Sequence, residues 1–533
     1  MAPVVPPAGP VFLTQLTPLS LLERSADVFA DKTAIVHGER RISYAEFAAE
    51  STRLARALQA SGIRPGDRVA YLAPNLPELL IAHFAVPLAG GVLVAINTRL
   101  STEEVRYILD HSGASVLVVD AALHPIIAPV AGELRCVREI VTVLDPAAPG
   151  DGIGSGFSYD ELLARGSDEP LPWAVDDENA TISINYTSGT TGTPKGVQYS
   201  HRGAYLNSFS ELVHSKLSPE SVYLWTLPMF HCNGWCTPWA ITGIGATHVC
   251  LREVRGDVIW ALIDEHRVTH LNGAPTVVTT IMRAPGAHSL GGPLVITTAG
   301  APPSPTTLKQ MSRMGFTIVH VYGLTETYGP HTVNEYRREW DALDEDTRAK
   351  LQARQGVGMI HTDPIRVVDE HMHDVPRDGA TLGEIVMRGN NVMTGYYRDE
   401  AATERAFAGG WFHSGDLALW HPDGYVEIRD RAKDIVISGG ENISTVEVEQ
   451  ALMAHPAVVE AAVIGVPDER WGERPKAFVI LEHGAEVDEP TLIEHVRSAI
   501  ARYKAPREIE FVEALPKTST GKIQKQVLRG LPS

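Results

Sequence analysis

The stretch Tyr186 to Val197, YTSGTTGTPKGV, limits what this chain can be more than any other. Its twelve residues include three glycines, four threonines, one serine, one proline and one lysine, so it has almost nothing to bury and reads as a loop. Backbone N–H groups freed by glycine, side-chain hydroxyls and the Lys195 ammonium together make a cradle for a polyphosphate anion. Lys195 follows Pro194 and precedes Gly196, so the register is not that of a Walker A loop, and a kinase glycine loop does not fit either. The plain alternative is a flexible linker. A linker, however, has no reason to hold Pro-Lys-Gly between two strand-like runs.

At 533 residues the chain exceeds what one core usually serves, and at least two domains are expected. A formal net charge of -19 argues against a sequence-independent grip on nucleic acid or anionic membrane. Four cysteines, Cys136, Cys232, Cys236 and Cys250, make no disulfide framework in a chain this long, which suits a reducing compartment. The N-terminal MAPVVPPAGPVFLTQ lacks the pattern of a signal peptide. No run reaches the roughly 18 apolar residues of a membrane span. The expected location is the cytoplasm.

Along the chain, Thr17 to Phe29 has helical spacing, and Thr33–His37 with Arg41–Ser43 reads as a hairpin about Gly38. Helices over Tyr44–Ala60, Pro77–Ala89 and Thr102–His111 alternate with strands Arg68–Ala73, Val92–Ala95 and Ser115–Val119, and Asn97–Ser101 caps the third helix. Such alternation means a mostly parallel sheet covered on both faces. Further strands are expected at Val222–Leu227, His248–Leu251, His270–Gly273, Leu294–Thr298 and Thr317–Val321. Several end in polar or glycine clusters, which should converge on one crevice outside the carboxyl ends of the strands. Asn334 to Gln355 reads as a solvated helix with Glu335–Arg338 and Glu345–Arg348 partners. Ile365–Val368, Gly383–Met387 and Gly424–Ile428 suggest a small antiparallel or barrel-like unit. From about Asp434 short strands and helices form a compact α+β domain.

In order, the strand-end clusters are Tyr186–Val197, LPMFHCNGW (227–235), TTAGAPP (297–303), VYGLTET (321–327), GEIVMRGNNVMTGYY (383–397), WFHSGDL (411–417), IRDRAKDIVISGGENIS (428–444) and LPKTSTGKIQK (515–525). With these eight motifs in this order, essentially the whole chain resembles the adenylate-forming superfamily, most closely its acyl- and aryl-CoA synthetases. The resemblance implies an α/β fold: a large N-terminal domain, residues 1–431, of mostly parallel sheets flanked by helices with a small barrel-like unit, and a smaller mobile α+β C-terminal domain, residues 432–533. It implies a ligase in which ATP, with Mg2+, and a carboxylate give an acyl-adenylate and pyrophosphate, after which the CoA thiol displaces AMP.

Carboxylate attack on the α-phosphorus puts one anion onto another, so positive charge and amide donors are needed where charge accumulates. By the resemblance, Thr187, Ser188, Gly189, Thr190, Thr191, Gly192 and Lys195 hold the terminal phosphates, and Thr187 and Glu326 bind Mg2+, a hard cation that needs few protein oxygens when phosphate supplies the rest. Tyr322, beside Gly323 and Thr325, lies against adenine, with Gly300, Ala301 and Pro302 as the other wall. Asp416 accepts the ribose hydroxyls, which an ionised carboxylate does well, and Ile428 and Arg431 join the nucleotide site. Lys522 is the catalytic lysine that bridges the carboxylate and the α-phosphate. Lys433 is the hinge, and Gly439, Gly440 and Glu441 form the face past which the CoA arm runs, where a side chain on either glycine would fill the tunnel.

His231 and Trp235 are expected to line or gate the acid pocket together with Gly300 and Tyr322, favouring a flat or modest-length acid, medium-chain aliphatic or aryl and cinnamic in type. Either residue reads equally as core. Cys232 and Cys236, one helical turn apart, have no second pair at zinc spacing. Trp471 lies near the CoA nucleotide or is an ordinary half-buried tryptophan. Two other readings stand beside the CoA ligase. In one, the adenylate passes to a carrier-protein thiol or another small nucleophile; in the other, the fold is a non-catalytic nucleotide binder, against which Lys522, Asp416 and Glu326 all count. A homodimer stays open.

Overall fold

The computed structural model describes residues 11–148, 156–187, 194–300, 303, 305–431, 433–438, 441–468, 470–518 and 523–530. Two large sheets dominate, each with a parallel centre; the first has antiparallel strands at both edges and the second at one edge only. The first runs from Arg40–Ser43 through Thr33–His37, Thr247–Val249, Val222–Leu224, His270–Gly273, Leu294–Thr298, Phe316–Leu324 and Gly329–Val333 to Val357–Gly358. The second runs from Gly395–Tyr396 through Lys195–Ser200, Thr181–Thr187, Val92–Ala95, Arg68–Leu72, Val116–Asp120 and Glu139–Val143 to Phe157–Ser158.

The helices expected between these strands are where periodicity put them. Tyr44–Ala60 starts at a reciprocal cap, the Ser43 hydroxyl taking the Glu46 N–H while the Glu46 carboxylate takes the Ser43 N–H, and it buries Tyr44, Phe47, Ser51, Leu54, Ala55 and Leu58 along one stripe. Thr102–Ser112 starts at the same device on Ser101 and Glu104 and stops at Gly113, whose φ of 66° an L side chain disfavours. Pro77–Leu88 is buried along its whole length between the sheets, so its apolar residues surround the axis.

A four-stranded antiparallel sheet of Arg366–Val368, Leu382–Met387, Phe412–Trp420 and Val426–Arg431 is the expected small unit. Beyond it, Val436–Ser438, Glu441–Ile443, Val458–Asp468, Gly472–Leu481 and Glu508–Phe511 form a separate sheet. The core beneath that sheet draws only on residues from Val436 to Ile509, whereas the main core ends at Val426. Contact between the two bodies includes Asp430, whose carboxylate accepts the Thr445 N–H and hydroxyl at 2.6 Å each.

Two expectations are corrected. Asn334–Gln355 is not one solvated helix: a 3₁₀ turn at Arg338–Ala342, which buries Trp340, precedes a short helix at Glu345–Gln352. Its acids reach across the fold, Glu335 to His214 and Glu345 to Arg313, instead of to the arginines three residues on. The Tyr186–Val197 stretch is strand, not loop, at both of its described ends. Thr187 closes one strand and Lys195 opens the next, and the two face each other as an antiparallel pair.

Candidate active site

Of the anticipated site residues, Ser188, Gly189, Thr190, Thr191, Gly192, Ala301, Pro302, Gly439, Gly440 and Lys522 lie outside the described residues. The others, apart from Lys433 and Glu441, fall into three groups at the carboxyl ends of the strands and on the antiparallel unit.

The first group surrounds Asp416. Pairing of Phe412–Trp420 with Val426–Arg431 sets Asp416 opposite Arg431, and the Arg431 Nε lies 3.2 Å from one Asp416 carboxylate oxygen. The other oxygen accepts the Tyr322 hydroxyl at 2.6 Å. Burial, with the Asp416 charge beside it, holds the Tyr322 phenol well above its usual pKa, so it stays a donor. Asp416 is 4% exposed, and a buried carboxylate held by two donors is fixed in orientation. Ile428, half-buried, donates its N–H to the Gln355 side chain at 2.6 Å. Gly300 has φ 93°, and a Cβ built there would meet no atom of the described residues within 4 Å. Open space at this strand end is what a ligand wall requires. Gly323 is a glycine for a different reason, since a Cβ there would fall on the Gly329 carbonyl oxygen of the adjoining strand.

The second group sets Thr187 opposite Lys195 across the strand pair and joins Lys195 to Glu326 through a residue, Tyr396, that sequence reasoning left without a role. The Tyr396 hydroxyl donates to Glu326 Oε1 at 2.8 Å, and the Lys195 ammonium sits 4.7 Å from the centre of the Tyr396 ring. The second Glu326 oxygen takes no hydrogen bond from the described residues. A carboxylate oxygen left open beside a phosphate hairpin, with the Thr187 hydroxyl at the hairpin's base, fits a cation that draws its remaining ligands from phosphate and water. No cluster of three or more His, Cys, Asp or Glu side chains suited to a metal occurs among the described residues. The signal for Tyr396 was present in the Gly-Tyr-Tyr that ends the 383–397 cluster.

The third group is at 231–236. Cys232, Asn233, Gly234, Trp235 and Cys236 all have positive φ, from 48° to 64°, so the segment is a left-handed turn and the expected right-handed spacing of the two cysteines is absent. Left-handed winding costs roughly 1–2 kcal/mol for each L-residue. A buried polar network opposes that cost. Asn233 Oδ1 accepts from the Ser183 hydroxyl at 2.7 Å and from Asn185 Nδ2 at 2.6 Å, and the Asn233 N–H donates to Asn185 Oδ1 at 3.2 Å. The turn sends His231, Cys232 and Phe230 into a recess shared with Asn97, Asn185, Tyr186 and Thr325. Trp235 does not line that recess; its ring lies on the Gly329 backbone, where a Cβ would come within 2.5 Å of it. Burial pushes the Cys232 thiol up to about 12, which makes it a poor metal ligand or nucleophile.

Lys433 is exposed in the turn between the antiparallel unit and the C-terminal body, and Glu441 is exposed at the start of the short strand paired with Val436–Ser438. Trp471 is half-buried, with the Arg470 and Arg507 guanidinium groups over its ring. No described helix is long and apolar enough to cross a membrane.

The AMP-binding enzyme family pattern matches residues 22–397, and that of the AMP-binding enzyme C-terminal domain matches residues 447–522. The chain is 44% identical to an acetate–CoA ligase of Humulus lupulus, over 97% of its own length and 94% of that protein's. It is 42% identical to a peroxisomal acetate/butyrate–CoA ligase of Arabidopsis thaliana, covering 98% of this chain and 95% of the relative. Among solved structures, an anthranilate CoA ligase in complex with anthranoyl-AMP superposes with a TM-score of 0.85 at 26% identity, covering 97% and 98% of the two chains.

Proposed function

The chain belongs to the AMP-binding enzyme family, as an AMP-forming acid–thiol ligase that uses ATP, Mg2+ and CoA, and from that premise we propose how its residues divide the work and which acid it takes. Adenylation forms a bond between a carboxylate oxygen and the α-phosphorus and breaks the bond to pyrophosphate. In the second half-reaction the CoA sulfur attacks the acyl carbon, AMP leaves, and the thiol proton goes to solvent.

Lys195 and the hairpin hydroxyls hold the terminal phosphates, Asp416 with Arg431 fixes the ribose, and Tyr322 with Gly300 encloses the base. Mg2+, held by Thr187 and Glu326, would neutralise charge on the phosphate oxygens. Tyr322 and Asp416 are already joined at 2.6 Å, and this observation carries the nucleotide assignment most directly. His231 and Thr325 border the reacting carboxylate, and Trp235, behind Gly329, limits the depth of the acid pocket. We take the domain boundary at 431/432, with Lys433 as hinge, which the separation of the two cores supports. The acid is a short carboxylate of the acetate-to-butyrate class, a different choice from the medium-chain or cinnamic acid expected from the sequence, and the names of the acetate and acetate/butyrate ligases among its relatives support it. The acceptor is CoA, a carrier thiol being the second reading, and the setting is the cytoplasm, in keeping with four free cysteines.

Pyrophosphate release across acids of increasing length, with and without CoA, tests the assignment. Acetate, propionate and butyrate should lead, and CoA should be consumed. A preference for cinnamate or octanoate would overturn the acid choice, and turnover only with a carrier protein would overturn the acceptor. Lys522→Ala should cut adenylation about 10³-fold, the worth of one positive charge near 4 Å at an effective dielectric of about 20. Conversion of supplied acyl-AMP to thioester should survive that substitution.

A further inference from the structure

The edge strand Gly395–Tyr396 touches both halves of the triphosphate site. It pairs antiparallel with Lys195–Ser200, Gly395 opposite Gln198 and Tyr396 opposite Val197. Its neighbours extend the grip: the Tyr397 N–H donates to the Gly196 carbonyl at 2.7 Å, and the Met393 N–H donates to the Glu326 carbonyl at 2.7 Å. Five residues therefore tie the phosphate hairpin and the acidic turn to one backbone. Tyr396 alone among them also sends its side chain to both. Its N–H is taken by the Thr403 hydroxyl at 2.9 Å, which anchors the residue on the following helix.

We propose that Tyr396 is a positioning residue that couples the metal-binding carboxylate of Glu326 to the phosphate-binding ammonium of Lys195. Its hydroxyl, 2.8 Å from Glu326 Oε1, engages one carboxylate oxygen and leaves the other for the cation that Glu326 would hold, and its ring holds the ammonium in place before phosphate arrives. A ring face attracts a cation without neutralising it, whereas a carboxylate partner would compete with phosphate for the same charge. Lys195 makes no ion pair with the described residues, so its charge stays available. This inference rests on the assignment of Glu326 to Mg2+ and of Lys195 to phosphate made above.

Calorimetric titration of ATP into the acid-free enzyme, in EDTA and in excess Mg2+, gives for each variant the factor by which Mg2+ tightens nucleotide binding. Tyr396→Phe keeps the ring and loses the hydroxyl. Its affinity in EDTA should stay within about twofold of the parent, and the Mg2+ factor should fall about tenfold, as for a lost charge-assisted hydrogen bond. Tyr396→Leu should lose the Mg2+ factor equally and also bind ATP about threefold more weakly in EDTA, because Lys195 loses its ring. Purely structural damage would lower both affinities together along with the melting temperature and leave the factor unchanged; that result, or an unaltered Tyr396→Phe, overturns the proposal. Glu326→Gln separates the two assignments. If it removes the Mg2+ factor while Tyr396→Phe does not, the coupling role alone fails; if it leaves the factor intact, the metal assignment fails first.

Discussion

Around Asp416 the backbone is strand, interrupted only by Gly415, whose φ of 71° glycine takes readily, and by a bulge at Leu417–Ala418, and the site is made by side chains that register places opposite one another, Arg431 on the partner strand and Tyr322 from the neighbouring sheet. Around Asn233 the side chains are few and the backbone carries the shape: five successive positive-φ residues, four of them not glycine, bend the chain so that Phe230, His231 and Cys232 enter the recess. On the proposed assignment the nucleotide, common to every reaction of this family, is met by a pattern any pleated pair can display. The acid, on the same assignment, is met by a conformation that costs free energy and persists only because buried amides over-determine it. Placing the expense on the acid side leaves the nucleotide side free to stay rigid and cheap.

Removing the amide that holds the turn tests this contrast most severely. Asn233→Ala strands the Ser183 hydroxyl and the Asn185 amide in a buried setting and puts alanine where φ is 48°. A loss of about 3 kcal/mol in urea unfolding is expected, with the KM for acid rising well above any change in the KM for ATP. Asn233→Gly loses the same hydrogen bonds but tolerates the conformation, so it should fall between alanine and the parent. Equal damage to both KM values would mean that the two sides are not built independently.

The same contrast explains what could be read from the chain. Ser43 with Glu46 and Ser101 with Glu104 announce their helices because a cap is local chemistry, and the parallel centre follows from alternation. Asp416 and Glu326 stood out in the sequence because charge and glycine at strand ends leave a compositional mark. Thr187 and Lys195 were misread as loop because hydroxyl-rich composition hid two strand ends that only cross-strand pairing defines. The acids at 335 and 345 showed helical spacing, yet their partners, His214 and Arg313, are tertiary neighbours that spacing cannot reveal. The left-handed turn had no signal beyond Asn-Gly, since neither Cys nor Trp favours that region; it exists through Ser183 and Asn185, about fifty residues away along the chain.

Behind the turn, helix His201–His214 buries Glu211, 1% exposed, with one carboxylate oxygen lacking any partner among the described residues. Burial pushes its pKa up to about 8, the Ser215 hydroxyl pulling the other way. The folded protein therefore keeps a proton that the unfolded chain releases above about pH 4.5. Stability should fall as pH rises between those values, by at most about 1.4 kcal/mol per pH unit, and level off above about pH 8. Glu211→Gln should abolish that slope, matching the parent near pH 5 and exceeding it near pH 7 in urea midpoint. A variant as pH-sensitive as the parent would place the slope elsewhere and remove Glu211 from the support of the strained side.

The mildest test falls on the other side. Tyr322→Phe keeps the ring and removes only the hydroxyl that donates to Asp416 at 2.6 Å. Arg431 still holds the opposite oxygen, so the carboxylate should turn without leaving the site, and the loss should stay near 1.5 kcal/mol, about tenfold in the KM for ATP. Because Asp416 is fixed by side chains and not by a strained backbone, the change should stop there, leaving the KM for acid and the unfolding midpoint nearly unmoved. If the acid KM shifts with it, Tyr322 transmits between the two regions through the strand that leads from it into the Thr325–Thr327 turn, and the nucleotide side is not the rigid half that its backbone implies.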